Sequence, residues 1–238
     1  MSELEKILSE VLAKEQINIS PEQLAQFNRY YELLIEWNEK INLTAITEVQ
    51  DVAVKHFLDS LLAAKMVENL AGKTLIDIGT GAGFPGVPLK IMEKDLKVTL
   101  FDSLQKRLKF LDILCAELKL TDIVTIHGRA EDGGQNKDLR EKFDLASARA
   151  VARMPVLLEY ALPFVKVGGY FLALKGPELD EELKESAKAL KVLGGEVAEI
   201  GRFSLGGYTR NIALIKKAAP TPKAYPRKAG NVQKKPLI

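Results

Sequence analysis

The stretch Asp77-Ile78-Gly79-Thr80-Gly81-Ala82-Gly83-Phe84-Pro85-Gly86 follows a short apolar run, Thr74–Ile78, and opens a helical one. In an open α/β sheet, ligands sit beyond the carboxyl ends of the strands, beside the point where strand order reverses. Glycines there let the chain turn tightly and let a ligand approach the main chain. Two templates overlap on this stretch. Gly79-x-Gly81-x-Gly83 fits an S-adenosylmethionine loop, and Gly81-x-Gly83-x-x-Gly86 fits the dinucleotide fingerprint.

Context favours the first template. A dinucleotide fingerprint closes its strand with the first glycine and leaves the helix N-terminus free for a pyrophosphate. Here it would start two residues late, and Pro85 removes a backbone donor. Asp77, at the strand end, suits a ligand carrying an amino group and a sulfonium. The second strand ends at Asp102, 23 residues after Gly79. A carboxylate there can accept both hydroxyls of a ribose, at about 1.5–3 kcal/mol per charge-assisted bond. NAD carries that ribose too, so an NAD-dependent oxidoreductase is the rival reading. No Tyr is followed four residues later by Lys, and there is no P-loop.

Outward from this loop, apolar runs alternate with helical stretches. The runs are Thr74–Ile78, Lys97–Phe101, Ile123–Ile126, Phe143–Ser147, Tyr170–Leu174, Val197–Phe203 and Arg210–Ile215. Helices are predicted near Pro85–Met92, Leu104–Leu118, Met154–Leu162 and Glu178–Leu193. Alternation of this kind makes a parallel sheet covered on both faces. The last two runs are joined only by Ser204–Thr209, which holds Gly206-Gly207, so they form an antiparallel hairpin. The expected fold is α/β, class I (Rossmann-like) methyltransferase, with a seven-stranded, mostly parallel sheet whose last strand is reversed. Residues 1–70 read as an N-terminal helical cap, 71–217 as the methyltransferase domain and 218–238 as a basic, Pro-rich tail. In the cap, Ser20-Pro21-Glu22-Gln23 is a capping box with Pro at the first helical position. Thr47, with Gln50 three residues on, predicts a further helix running to Asn69. Trp37, Tyr30 and Tyr31 read as core of the cap.

The 238 residues are 47% hydrophobic and 28% charged, the balance of a soluble globular chain. The first residues, MSELEKILSE, are charged rather than apolar, and the longest uncharged run, Ile78–Leu89, is rich in Gly and Pro. Neither a secretory signal nor a membrane span is expected, and the location expected is the cytoplasm. One cysteine and two histidines support no disulfide and no soft metal site. Cys115 falls mid-helix on an apolar face and reads as packing, and His56 and His127 read as satisfied side chains. The net charge of +2 hides an asymmetry. Seven basic residues and no acid follow Ile215, leaving 27 basic against 32 acidic residues before it, a net of −5. A +7 tail on an acidic body points to nucleic acid or an acidic surface.

Asp77–Leu89 (DIGTGAGFPGVPL) resembles the signature of the bacterial small-subunit ribosomal RNA methyltransferases called RsmG or GidB. Further similar segments follow in order. They are Asn42–Ile46, His56–Ser60, Gly128-Arg129-Ala130-Glu131, Ser147–Ala152, Lys175-Gly176 and Tyr225-Pro226-Arg227-Lys228. Val232-Gln233 departs from the family pattern, which carries a proline there, and puts the tail's path in doubt. The resemblance implies methyl transfer from S-adenosylmethionine to N7 of a guanine in 16S ribosomal RNA. It also implies that Gly79 and Phe84 shape the cofactor pocket and that Asp102, Ser103 and Leu104 line the ribose and adenine. Ala130 and Glu131 then contact the adenine, and Arg149 joins the cofactor set with a positioning role; Asp77, Gly81 and Gly83 complete that set.

Guanine N7 has a free lone pair, so transfer needs no general base, and catalysis reduces to positioning and desolvation. N7 faces the narrow major groove of A-form RNA, so the target base must lie in a loop or be splayed out. Arg153, Lys175 and Arg210 on the carboxyl edge, and Arg227 and Lys228 in the tail, are the candidate RNA contacts, each equally a solvated charge. The expected partner is 16S ribosomal RNA or the small ribosomal subunit, with no membrane and no metal, and the chain is expected to be a monomer. Deleting residues 218–238 is expected to abolish RNA methylation and spare cofactor affinity. A non-catalytic RNA-binding module is the third reading.

Overall fold

The computed structural model describes residues 1–205 and 207–238. The chain opens with α1 (Glu3–Lys14) and α2 (Pro21–Ile41). Ser20 caps α2 as the sequence predicts: its Oγ accepts from the Gln23 amide, and the Gln23 side chain accepts from the Ser20 amide. The next helical segment departs from expectation. It starts as α3 (Val49–Val52), with Glu48 rather than Thr47 at the cap and no side-chain cap bond. It then passes through a π-helical turn (Ala53–Leu58), α4 (Asp59–Leu61) and a 3-10 turn that ends at Met66, not Asn69. The π turn places His56, Phe57, Leu58, Asp59 and Ser60 all in buried positions, which a regular amphipathic helix does not do.

The sheet then builds as β1 (Thr74–Ile78), α5 (Gly86–Met92), β2 (Lys97–Asp102), α6 (Gln105–Glu117), β3 (Ile123–His127) and α7 (Ala130–Gln135). It continues with β4 (Phe143–Arg149), α8 (Met154–Ala161), β5 (Val165–Lys175), α9 (Leu179–Glu185), α10 (Ala187–Leu193), β6 (Gly195–Leu205) and β7 (Tyr208–Lys217). A short α11 (Asn231–Lys234) lies in the tail. Strand order is β3-β2-β1-β4-β5-β7-β6, and β7 runs antiparallel to both neighbours, which is the expected sheet. The β6–β7 register closes at Leu205 and Tyr208; Gly206 of the expected turn lies outside the described residues. Strand order reverses between β1 and β4, the position where such sheets take ligands.

Side chains alternate across the sheet. Leu75, Leu172 and Leu174 join a core shared with α1, α2, α5 and α6, while Ile76, Phe171 and Ala173 join one with α8, α9 and α10. The first core is continuous from Leu4 to Leu214, so the cap is packed into the sheet domain and not beside it. The tail is packed too. Val232 is fully buried against Val156 and Tyr160 of α8, and Leu237 is buried in the second core. Among the described residues no helix is long and apolar enough to cross a membrane.

Candidate functional site

The loop after β1 owes its shape to Asp77. This carboxylate has no exposed surface: Oδ2 accepts from Thr80 Oγ1 at 2.6 Å and the Gly86 amide at 3.1 Å, and Oδ1 accepts from Ser147 Oγ at 2.8 Å. Burial raises its pKa against those bonds. In this structure Asp77 therefore faces the chain's own groups. Both of its oxygens are used to tie the loop to α5 and β4.

Between these anchors Gly79 and Gly81 take positive φ (64° and 61°). The Gly81 amide donates to Asp102 Oδ2 at 2.9 Å, and the Leu104 amide donates to Oδ1 at 2.8 Å. One acid thus joins the loops after β1 and β2. A Cβ at Gly79 would come within 2.8 Å of Val151 Cγ2, so the loop after β1 also packs against the loop after β4.

These loops enclose a cleft of about 300 Å³. Ile78 and Gly79 come from the end of β1, Asp102 and Ser103 from β2, and Gly128 to Glu131 from β3 and α7. Val151, Tyr160 and Gln233 complete the wall. Of the expected cofactor residues, Gly79, Asp102, Ser103, Ala130 and Glu131 meet here. Gly81 and Leu104 serve through their amides on Asp102, and the Leu104 side chain is exposed. Gly83 lies under the cap, where a Cβ would meet the Tyr30 hydroxyl at 2.6 Å. Sequence reading missed Tyr160 and Gln233. Tyr160 sits in a helix that is buried throughout and reads only as core.

A second cleft, of about 460 Å³, opens on the far side of Arg149 and Ala150, over the ends of β4 and β5. Phe84 does not line the first cleft; it is buried behind Arg149, which lies 4.7 Å over its ring. Tyr30 and His56 stack on the same ring at 5.3 and 4.5 Å. Tyr30 also donates its hydroxyl to the Ala82 carbonyl at 2.6 Å, so it belongs to the loop's support as well as to the cap. Arg149 Nη1 donates to Asp59 Oδ2 and to the Lys55 carbonyl, each at 2.9 Å, and Nη2 donates to His56 Nδ1 at 3.2 Å. Nδ1 thus meets a guanidinium that only donates and, at 3.1 Å, the Lys55 carbonyl that only accepts, while Nε2 lies 2.9 Å from Thr44 Oγ1.

Burial, and then the Arg149 charge, push the His56 pKa down to about 3. The sign of the pH effect follows. An unfolded histidine takes a proton near pH 6.5 and the folded one refuses it, so stability held above pH 6.5 is lost as pH falls towards 3. Between pH 7 and pH 5 this comes to about 2 kcal/mol. Urea denaturation of the parent and of His56→Gln at both pH values is expected to show a smaller loss in the variant. Equal losses would mean that His56 is protonated in the folded chain.

The cations expected to face RNA are mostly engaged. Arg210 donates Nε to Asp59, and Lys175 contacts Glu182 at 2.7 Å and the Ala152 carbonyl at 2.9 Å. Arg153 meets Glu185 at 2.8 Å but is 56% exposed. Arg227 grips buried Glu159 through its amide at 2.7 Å and Nη2 at 2.6 Å. Lys175 and Arg210 are therefore not the solvated charges of the alternative reading, and Arg153 and Lys228 are the exposed members of the set. The tail is no free arm either. Lys217 is fully buried against the Leu162 carbonyl, Thr221 and Glu141, and Gln233 lines the first cleft. Removing the tail would therefore take away one of the residues that line the first cleft. A further cleft, about 650 Å³, lies at the opposite, amino ends of the strands around Asp144 and Gly168, away from these loops.

The family model described as rRNA small subunit methyltransferase G matches residues 23–212. The chain is 54% identical over 228 residues to the Ribosomal RNA small subunit methyltransferase G of Exiguobacterium sibiricum, covering 95% of this chain and 96% of that one. It is 52% identical over 237 residues to the enzyme of the same name from Alkaliphilus oremlandii, covering 99% of each. Among solved structures, a SAM dependent methyltransferase from Aquifex aeolicus superposes with a TM-score of 0.51 at 18% identity, over 69% of this chain and 92% of that one, a likeness of fold alone. With a family match spanning β1 to β7 and relatives half identical from end to end, the chain belongs to the GidB family, rRNA small subunit methyltransferase G.

Proposed function

We propose that this chain transfers a methyl group from S-adenosylmethionine to N7 of a guanine in 16S ribosomal RNA, acting as a cytoplasmic monomer. The observation that carries the reading is the pair of clefts divided only by consecutive residues of the loop after β4, with Val151 in one wall and Arg149 and Ala150 in the other. The smaller cleft fits a nucleoside cofactor. It has a ribose-reading acid in Asp102, bare backbone at Gly79, where a Cβ would collide with Val151 of the opposite wall, and the Ala130-Glu131 turn for the adenine.

S-adenosylmethionine would supply an electrophilic methyl group, which N7 attacks with its own lone pair. The chain's part is placement. Arg149 is fixed by Asp59, the Lys55 carbonyl and His56, so the wall between the clefts is rigid before RNA arrives. His56 is neutral at pH 7, and Cys115, its thiol pushed up to about 12 by burial, offers no nucleophile. The wider cleft would take the splayed guanine. Tyr208, 52% exposed at its rim with Lys55 4.1 Å from the ring, offers a stacking face beside a cation.

Incubation of the protein with labelled S-adenosylmethionine and either 30S subunits or free 16S RNA, followed by mapping of the labelled nucleotide, is expected to place one methyl on a guanine N7. Transfer to neither substrate overturns the proposal. Equilibrium dialysis with NAD alongside S-adenosylmethionine excludes or restores the oxidoreductase reading.

A further inference from the structure

The tail enters the first cleft at one point. Eleven of its lining residues come from the strand-end loops and α8, and the twelfth, Gln233, comes from α11. α11 is held by Val232, which is fully buried against Val156 and Tyr160, with Ala130, Val151 and Ala152 packed around them. The Tyr160 phenol lies between the Glu131 carboxylate and the Gln233 amide. Ala130, Glu131, Val151 and Tyr160 are thus shared between the cleft and the seat of the tail.

Further back the segment is clamped at each step. Arg140 donates to the Thr221, Pro222 and Tyr225 carbonyls, and Gln135 donates to those of Lys223 and Pro226. Arg227 is bound to Glu159. These bonds hold the main chain of the tail and engage the Arg227 cation, while Lys223 stays exposed. Lys228 before α11, Lys234 at its end and Lys235 after it are exposed, and no acid lies between them in the sequence.

We propose that the C-terminal segment is a wall of the cofactor site, with the Gln233 amide contacting the nucleoside, and that phosphate binding by Lys228, Lys234 and Lys235 holds that wall closed. This rests on the reading of the cleft as the S-adenosylmethionine site. RNA and cofactor then bind with positive coupling, because each favours the seated tail, and by linkage the effect is reciprocal. A carboxamide suits the task, since it both donates and accepts and can answer the mixed edge of an adenine or a ribose hydroxyl.

The test uses the full chain. Cofactor Kd is measured by calorimetry for the parent, Gln233→Ala and the double variant Lys234→Ala/Lys235→Ala, each with and without 16S RNA, and thermal melting checks the fold. Gln233→Ala is expected to weaken cofactor binding about five- to tenfold, the worth of one hydrogen bond at the upper end of its range. Its melting temperature should not move, because the Gln233 side chain is exposed. RNA is expected to tighten cofactor binding by about fivefold or more in the parent, and this gain should be lost in the lysine variant. Parental cofactor affinity in Gln233→Ala overturns the contact, and equal parental Kd with and without RNA overturns the coupling. A parent that binds no S-adenosylmethionine at all fails the reading of the cleft itself, a distinct result.

Discussion

Replacing Asp102 by Ala is expected to lower S-adenosylmethionine affinity by about two to four orders of magnitude, the worth of two charge-assisted hydrogen bonds of about 1.5–3 kcal/mol each. Two losses combine. The carboxylate faces the cleft, where it would accept the ribose hydroxyls, and it also holds the loops that form the cleft through the Gly81 and Leu104 amides. Asp102→Asn separates these roles only in part. Whichever way the amide turns, its NH2 faces a backbone N–H, donor against donor, on one of the two loops. The asparagine variant is therefore expected to lie closer to Ala than to the parent. Equilibrium dialysis reads the effect directly; an Asp102→Ala protein within threefold of parental affinity would remove Asp102 from the site.

The legibility of this acid in the sequence has a physical basis. Asp102 ends a run of alternating apolar residues, and a charge at the carboxyl end of a buried parallel strand has few structural uses. Gly79 was equally plain, because its positive φ is a demand only glycine meets without strain. Asp77 shows the limit of such reasoning. Sequence position puts it at the strand end with Asp102, but whether a carboxylate faces a ligand or a neighbouring hydroxyl depends on Thr80 and Ser147, and Ser147 comes from a strand 70 residues away. The tail shows the same limit. Counting charges treats every cation as solvated, while Lys217 and Arg227 are matched to Glu141 and Glu159 of the acidic body. The asymmetry of +7 against −5 is partly an internal pairing, and what remains exposed is Lys216, Lys223 and the cluster around α11. Gln233, uncharged and outside any motif, gave no signal beyond its departure from the family's tail pattern.

Asp59→Ala is expected to destabilise the fold by about 3–5 kcal/mol, the cost of breaking a buried ion pair from one side. Asp59 has no exposed surface and binds two guanidinium groups, Arg149 through Oδ2 and Arg210 through Oδ1. It lies in α4, immediately after the π turn, while its partners stand at the end of β4 and near the start of β7. One carboxylate therefore fastens the helical cap to two strands of the sheet. Removing it leaves two cations, with Arg149 only 11% exposed, repelling each other without an anion. Asp59→Asn, which keeps an acceptor but loses the charge, should fall between Ala and the parent. In a chain of this length each kcal/mol moves the melting temperature by about 2–4 °C, so the Ala variant should melt roughly 10 °C or more below the parent. The same substitution frees Arg149 from the wall between the clefts. Single-turnover methylation below the melting point should then slow by more than tenfold while cofactor Kd changes little, since Asp59 lines only the second cleft. Melting within 3 °C of the parent would show that the arginines find water or another anion, and that the cap is held by its apolar core alone.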